Sequence, residues 1–310
     1  MSKLLQNRFF ACLAAIFCTL LWGTAFPFIK LGYRAFEVAE GDTGSMLLFA
    51  GLRFSLAGLM VFCVLCVSRK RFIKLNKTDV APVLLLGAVQ TAAQYLFTYV
   101  GIGFTSGANT SVITACASFI TVLAAPLFFK SDRLTALKIF GCALGFGGVL
   151  LINGGAGISL DTLFGDVMIF FSTVFAAGGN LIAKRVTQKR NPVKVTAYQL
   201  LFGGLALILS GLISGGRLNL GNLQGVLILL WLALVSAAAF SVWTALLKVH
   251  PASRISVFNL LVPVFGTVLS GILLGENVFR LETAMSLLLI SCGIVLVNLN
   301  IMRKNNEEKR

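Results

Sequence analysis

Ten stretches of about twenty apolar residues, separated by short polar connectors, make up nearly all of this chain. They fall at about 9–30, 46–67, 80–101, 107–129, 136–153, 164–184, 194–213, 225–247, 254–274 and 281–302. About twenty apolar residues in a helix span a bilayer core. In lipid the backbone must satisfy its own hydrogen bonds, which leaves helices or closed barrels as spanning structures. With 57% hydrophobic and 12% charged residues and a mean hydropathy of +0.92, a soluble domain of 310 residues would leave too much apolar surface in water. The expected fold is an all-α polytopic membrane protein of ten transmembrane helices. The first stretch follows Lys3 and Arg8 but is too long for a signal peptide, and Lys30 stands where a cleavage site would need small residues. It is expected to be retained.

Residues 105–153 and 250–298 align at a constant offset without a gap. Ser111 falls on Ser256, Val112 on Val257, Leu144 on Leu289, Gly148 on Gly293, Leu151 on Leu296 and Asn153 on Asn298. Each copy belongs to a half with five apolar stretches, which divides the chain into 1–153 and 154–310. An odd number of spans reverses the second half. The expected arrangement is therefore two inverted five-helix repeats, a layout through which many carriers alternate access.

A net charge of +15 invites a nucleic-acid reading, but its distribution opposes it. With the amino terminus cytoplasmic, all 26 basic residues fall on the cytoplasmic side except Arg34, Arg217, Arg280, Lys30 and Arg53. This is the positive-inside pattern with both termini in the cytoplasm. The expected partner is the bilayer of the inner membrane, not nucleic acid.

Signatures of catalysis are missing. There is one histidine, His250, and no HExxH, P-loop or GxSxG motif. The seven cysteines all lie in apolar stretches and give no disulfide framework or metal site. No cofactor and no metal are expected. Asp166 reads as a helix N-cap, and Glu37, Glu40 and Asp42 as a solvated outer loop.

What remains is polar side chains within apolar helices, which tend to face a cavity or a neighbouring helix. Thr110, Thr114, Ser118 and Thr121 share one face of the fourth stretch. Ser256, Asn259, Pro263 and Thr267 share one face of the ninth, with Thr114 aligned on Asn259. Gln90, Gln94 and Thr98 are spaced by four in the third. Trp22 and Thr24 in the first, Asn180 in the sixth, and Ser236 and Trp243 in the eighth complete the set. Ser and Thr often bond only neighbouring backbone. Amides are harder to satisfy, having four bonding sites.

Arg53 is the sharpest single residue, ~10 Å below the outer surface when the second span begins near Met46. It either holds a substrate carboxylate, or snorkels outward or bonds helix-end carbonyls. No Asp or Glu lies mid-span; Asp79, Asp132, Asp161 and Glu276 are at or near span ends. That weighs against cation coupling. Gly141, Gly145, Gly148 and Gly293 read as close-packing positions, within the fold or in a homodimer. Gly178-Gly179 and Gly203-Gly204 read as bending points, and Pro27, Pro126 and Pro263 as kinks.

Several of these residues together resemble the EamA-type branch of the drug/metabolite transporter superfamily. They are Trp22-Gly23-Thr24 with Lys30, Arg53 within Leu-Arg-Phe, and Lys184-Arg185 closing the sixth span. Pro263, Leu274-Gly275-Glu276 and the Gly293–Asn298 run complete the likeness. It covers about 9–302. Ser118, Lys130-Ser131-Asp132 and Ala176 depart from the family pattern. The resemblance implies two inverted repeats around a central cavity lined by spans one, three, four, six, eight and nine, with five and ten outside. The expected function is secondary transport of a small metabolite, an amino acid or similar zwitterion, in the export direction by alternating access. The expected substrate contacts are Trp22, Thr24, Arg53, Gln90, Gln94, Thr114, Asn180, Trp243 and Asn259. The alternatives are a scramblase or channel, or an enzyme acting on lipid-linked substrate.

Overall fold

The computed structural model describes residues 5–39, 41–70, 72–102, 104–105, 107–152, 163–274 and 281–307. Glu40, Asn153, Asp161, Gly275, Glu276 and Arg280 lie outside the described residues, as does the side chain of Thr267. The described residues form helices joined by short connectors, with no strand among them. In chain order the rods are α1 (Arg8–Ala35), α2 (Thr43–Arg69), α3 (Lys77–Ile102), α4 (Gly107–Phe128) and α5 (Ala136–Ile152). They continue as α6 (Leu163–Thr187), α7 (Pro192–Ile213), α8 (Leu223–Val249), α9 (Ala252–Leu274) and α10 (Leu281–Glu307). Six of them, α1, α2, α3, α6, α7 and α8, are long and apolar enough to cross a membrane. The apolar cores of the others are shorter: Ile113–Phe128, Ala136–Leu151, Ala252–Gly266 and Ala284–Asn298.

Short polar residues start the helices where the connectors end. Asn7 accepts from the Phe9 amide, Asp42 from Ser45, Asn191 from Val193 and Lys194, and Asn222 from Gly225. Each satisfies amides that the first turn leaves unpaired. Two rods are irregular. In α9 the segment Val257–Leu260 is a 3₁₀ turn between two α-helical pieces. Pro263 is the cause, since its ring displaces the Asn259 carbonyl and it has no amide to donate. In α3, Gly87–Ala93 forms a π-helical stretch, which moves Gln90 and Thr91 off the normal register. Pro27 and Pro126 sit inside α1 and α4, which run on as α-helix through them.

Small residues set the packing. On α2, Gly44, Gly51 and Gly58 recur every seven residues and form one line. Ala197, Gly204 and Gly211 do the same on α7. The two lines run antiparallel and in contact. A Cβ on Gly51 would stand 2.5 Å from the Ile208 amide nitrogen, and one on Gly58 2.6 Å from that of Leu201. Between α5 and α10, Gly141 faces Gly293 and Gly148 faces the Ser286 carbonyl. That seam is internal to one chain, so these glycines are already engaged without a second copy. Lipid offers no hydrophobic gain for helix association, so backbone approach and dispersion supply the attraction.

The paired glycines are not bending points. Gly179 receives Gln90, Gly203 receives Thr91 and Gly204 receives Ser55, while α6 and α7 continue as unbroken helix. A missing Cβ here makes room for a neighbour. Beyond the two seams, α1 packs on α8 and α9, and α6 packs on α3 and α4.

Placing a side chain in the α2–α7 seam should therefore be costly. Gly51→Ala is expected to destabilise the protein by about 1–3 kcal/mol through overpacking. Gly147→Ala, which meets nothing within 4 Å, should be neutral. Thermal unfolding of the two variants in detergent checks the contrast.

Candidate functional site

The amide of Asn180 on α6 is the centre of a buried polar network. Its Oδ1 accepts from Gln90 Nε2 on α3 at 3.2 Å and from Trp243 Nε1 on α8 at 3.1 Å. Its Nδ2 donates to Ser256 Oγ on α9 at 3.4 Å. Gln199 on α7 donates to Gln90 Oε1 at 2.9 Å and reaches Thr91 Oγ1 at 3.5 Å. Ser118 on α4 donates to the Ser256 carbonyl at 2.8 Å. Six helices thus converge on one set of side chains, all of them buried. The π-helical stretch of α3 places Gln90 for this, against the open face of Gly179. Buried amides demand partners, and here they find them across helices rather than along one.

Above this network lies a second cluster around Arg53. The residue sits ten positions into α2, ~15 Å from its start at 1.5 Å per residue, deeper than the sequence suggested because α2 begins at Thr43. It is 2% exposed, and Nε donates to Ser236 Oγ on α8 at 2.9 Å. The guanidinium lies 5.0 Å from the Phe54 ring centroid. Neither snorkelling nor capping of helix-end carbonyls describes this geometry. Tyr33, Tyr95 and Tyr99 stand within electrostatic reach. Trp22 packs edge-on against Phe240 and Trp243, and Phe240 against Phe54, which links the two clusters.

The expected site residues divide. Trp22, Gln90, Asn180 and Trp243 belong to these connected clusters, and Arg53 heads the second one. Asn259 lies in the 3₁₀ turn of α9, half-buried, with Oδ1 unpartnered. Gln94 is half-buried and makes no side-chain bond. Thr24 bonds its own helix at the Leu21 carbonyl, 2.6 Å away. Thr114 is exposed, outside the network, although Ser118 one turn later is inside it. Sequence reasoning passed over Gln199 and the three tyrosines. An amide in the middle of the seventh apolar stretch, and tyrosines spaced by four at 95 and 99, were the available signals.

Basic residues hold the helix ends opposite the Arg53 end. Lys184 donates to the Leu247 carbonyl at 3.3 Å and the His250 carbonyl at 2.5 Å, closing the carboxyl end of α8. Asp132 pairs with Lys138 at 2.7 Å and accepts from the Ser253 amide and hydroxyl at the start of α9. Arg190 pairs with Asp79 at 2.7 Å beside a recess of about 230 Å³ lined by Asn76, Lys189 and Lys194. This recess belongs to the basic end and not to the Asn180 network. Among the described residues no group of acidic, histidine and cysteine side chains is arranged to hold a metal.

These features define an α-helical membrane protein with a buried polar centre. The EamA-like transporter family model matches residues 9–154 and again 163–299. A protein of Archaeoglobus fulgidus named an uncharacterized transporter is 30% identical over 89% of this chain and 94% of its own length. A Salmonella typhimurium protein named a "probable amino-acid metabolite efflux pump" is 26% identical over 89% of this chain and 91% of its own. An inner membrane transporter of Escherichia coli K12, also named uncharacterized, is 27% identical over 94% of this chain and 90% of its own. One solved crystal structure matches with a TM-score of 0.78 at 18% identity, over 96% of this chain and 99% of that one, and so shares the fold. The chain belongs to the EamA-like transporter family. It is a membrane transporter and not an enzyme.

Two predictions follow from the geometry. Asn180→Ala would leave Gln90 Nε2, Trp243 Nε1 and Ser256 Oγ without this partner, at about 1–3 kcal/mol for each group left unsatisfied. Its melting temperature should fall well below that of Thr24→Ala, which loses only a bond to its own helix. The second concerns His250, whose Nε2 faces the Leu5 carbonyl at 2.7 Å. Burial holds its proton affinity below the ordinary 6.5. The native ring is therefore the neutral one, and as pH falls through 6.5 the unfolded chain takes up the proton first. Stability should be level above about pH 6.5 and decline below it. Because this is the chain's one histidine, His250→Gln should flatten the melting-temperature profile between pH 7.5 and 5.5.

Proposed function

We propose that this transporter carries a small zwitterionic metabolite, an amino acid or close relative, outward across the inner membrane by alternating access. The observation that carries the reading is the balance of unmet polar atoms around the buried centre. Trp22 Nε1 and Tyr33 Oη are donors without partners, on the Arg53 side. Gln199 Oε1 and Asn259 Oδ1 are acceptors without partners, around the Asn180 network. A solute with an acid at one end and an amine at the other complements both. Partner-less buried atoms are costly, and a substrate that pairs them gains that energy on binding.

The mechanism rests on ten spans in two inverted repeats, 1–153 and 154–310, with both termini cytoplasmic. The two separate family matches support the division. So does the pattern of helix contacts. Exchanging α1–α5 for α6–α10 preserves the main pairings: α2 pairs with α7 and α5 with α10, and α1 with α8 and α9 answers α6 with α3 and α4. Such a two-fold relation gives a carrier two states of similar energy, each repeat taking the other's conformation. The absence of a mid-span carboxylate in the sequence favours exchange or facilitated diffusion over proton coupling.

Counterflow in proteoliposomes tests this. Vesicles loaded with a mixed amino-acid pool should accumulate labelled amino acid saturably without a pH gradient. Accumulation only under a gradient would overturn the uncoupled mechanism. Movement of labelled phospholipid between leaflets with no solute exchange would favour a scramblase instead.

A further inference from the structure

Arg53 is a buried cation with no acidic partner among the described residues, and unlike Lys184 and Arg254 it lies away from the helix ends. The ion pairs given by the described residues, Asp132 with Lys138 and Asp79 with Arg190 and Lys194, lie at helix ends. Ser236, which accepts from Arg53 Nε, gives its own proton to the Leu232 carbonyl at 2.9 Å. It therefore meets Arg53 as a neutral acceptor and carries no charge. Tyr99 also hydrogen-bonds the guanidinium, so the protein partners of Arg53 are neutral hydroxyls, and its planar fork is of the kind that matches a carboxylate in bidentate fashion. The neighbours are donors as well. Tyr33 Oη and Trp22 Nε1, both in the aromatic packing that includes Phe54, Tyr95, Tyr99 and Phe240, are buried without partners. The indole can only donate and the tyrosine hydroxyls can donate, and a carboxylate is an acceptor with two oxygens.

For an ammonium the position is reversed. Among the described residues no acidic side chain is paired with either cluster, and the unmet acceptors, Gln199 Oε1 and Asn259 Oδ1, are neutral amide oxygens. An ammonium on a neutral amide oxygen gains one charge-assisted bond, whereas a carboxylate on a guanidinium meets an opposite full charge and can bond it in bidentate fashion, so the two ends of a zwitterion are recognised unequally.

We infer that Arg53 is the carboxylate subsite of this carrier and that the acid group dominates recognition, so carboxylic acids without an amine are ligands too. This deepens the zwitterion reading and rests on it for transport. Binding and transport are therefore measured separately.

The test uses purified full-length protein and matched trios: leucine, 4-methyl-2-oxopentanoate and 3-methylbutylamine, with the phenylalanine, phenylpyruvate and phenethylamine set beside them. Half-saturating concentrations are read from thermal stabilisation. The expected result is that in at least one trio the oxo acid and the amino acid agree within about tenfold, while the amine is at least about 100-fold weaker. Arg53→Gln should remove the response to both acids. Arg53→Lys, which keeps the charge but loses the fork, should weaken both about tenfold, and it decides the matter if Arg53→Gln does not fold. An amine that binds as well as its amino acid would overturn the proposal. So would an oxo acid that is inert where its amino acid binds, an absence of response to every acid, or an unchanged response in both variants. Counterflow of the same probes separates the two claims. Acids that bind through Arg53 but are not exchanged would sink the zwitterion-carrier reading and leave the subsite standing.

Discussion

The antiparallel seam of small residues between α2 and α7 is the contact on which the other features depend. In water, burial of apolar surface would hold two helices together at almost any separation that excludes solvent. Lipid removes that term, and attraction must come from atoms in close contact. Gly44, Gly51 and Gly58 against Ala197, Gly204 and Gly211 bring two backbones into contact along their length. The seam fixes where α2 stands, and α2 carries Arg53. It also fixes α7, which carries Gln199. The buried cation and one arm of the amide network are thus positioned by residues that have no polar side-chain chemistry themselves.

The same economy of volume governs the polar centre. Gln90 reaches Asn180 because Gly179 leaves space beside it, and Thr91 approaches Gln199 because Gly203 does. The π-helical stretch in α3 completes this, since seven residues in wider register turn Gln90 and Thr91 toward α6 and α7 together. Irregular backbone at membrane depth is tolerated where protein satisfies it. Here the irregularity coincides with the densest cross-helix bonding in the molecule, as does the 3₁₀ turn of α9 beside Ser256. A network that links six helices resists small displacements of any one of them. A change of state must then move groups of helices as bodies, which the seams allow.

Much of this was legible in the chain. The helices lie where the apolar stretches do, because the length of a membrane-crossing helix is set by the bilayer and not by tertiary detail. Gln90, Asn180 and Trp243 were legible because an amide or indole donor in hydrocarbon demands a partner wherever it falls. Thr24 and Thr114 were not separable from Ser118 by sequence. A hydroxyl can bond its own preceding turn, and only the packing decides whether it does. Gly203-Gly204 was misread for a related reason. Two adjacent glycines suggest flexibility when a helix is considered alone, and room for a neighbour when it is considered with its partners. The sevenfold spacing of glycines in α2 was visible, but its meaning required the matching line on α7. Gln199 was overlooked because the family resemblance does not name the seventh span among those that line the cavity.

Charge placement ties the two ends of the molecule to different tasks. At the basic end, Lys184, Asp132, Lys138 and Arg254 are each held by carbonyls, amides or opposite charges: Lys184 by the end of α8, Asp132 by Lys138 and Ser253, Arg254 by Asn298 at 2.7 Å. Their electrostatics are closed locally, and they serve to fasten connectors. Arg53 is different in kind. It has the depth of a core residue, neutral hydroxyls for hydrogen-bond partners and an aromatic ring beside it. A guanidinium does not shed its proton to escape such a place. A fold that needed only a structural donor to Ser236 would be served by a neutral amide without the desolvation of a full charge. The charge itself is therefore the property that calls for explanation, and an anion that arrives and leaves is the explanation that a transporter makes available.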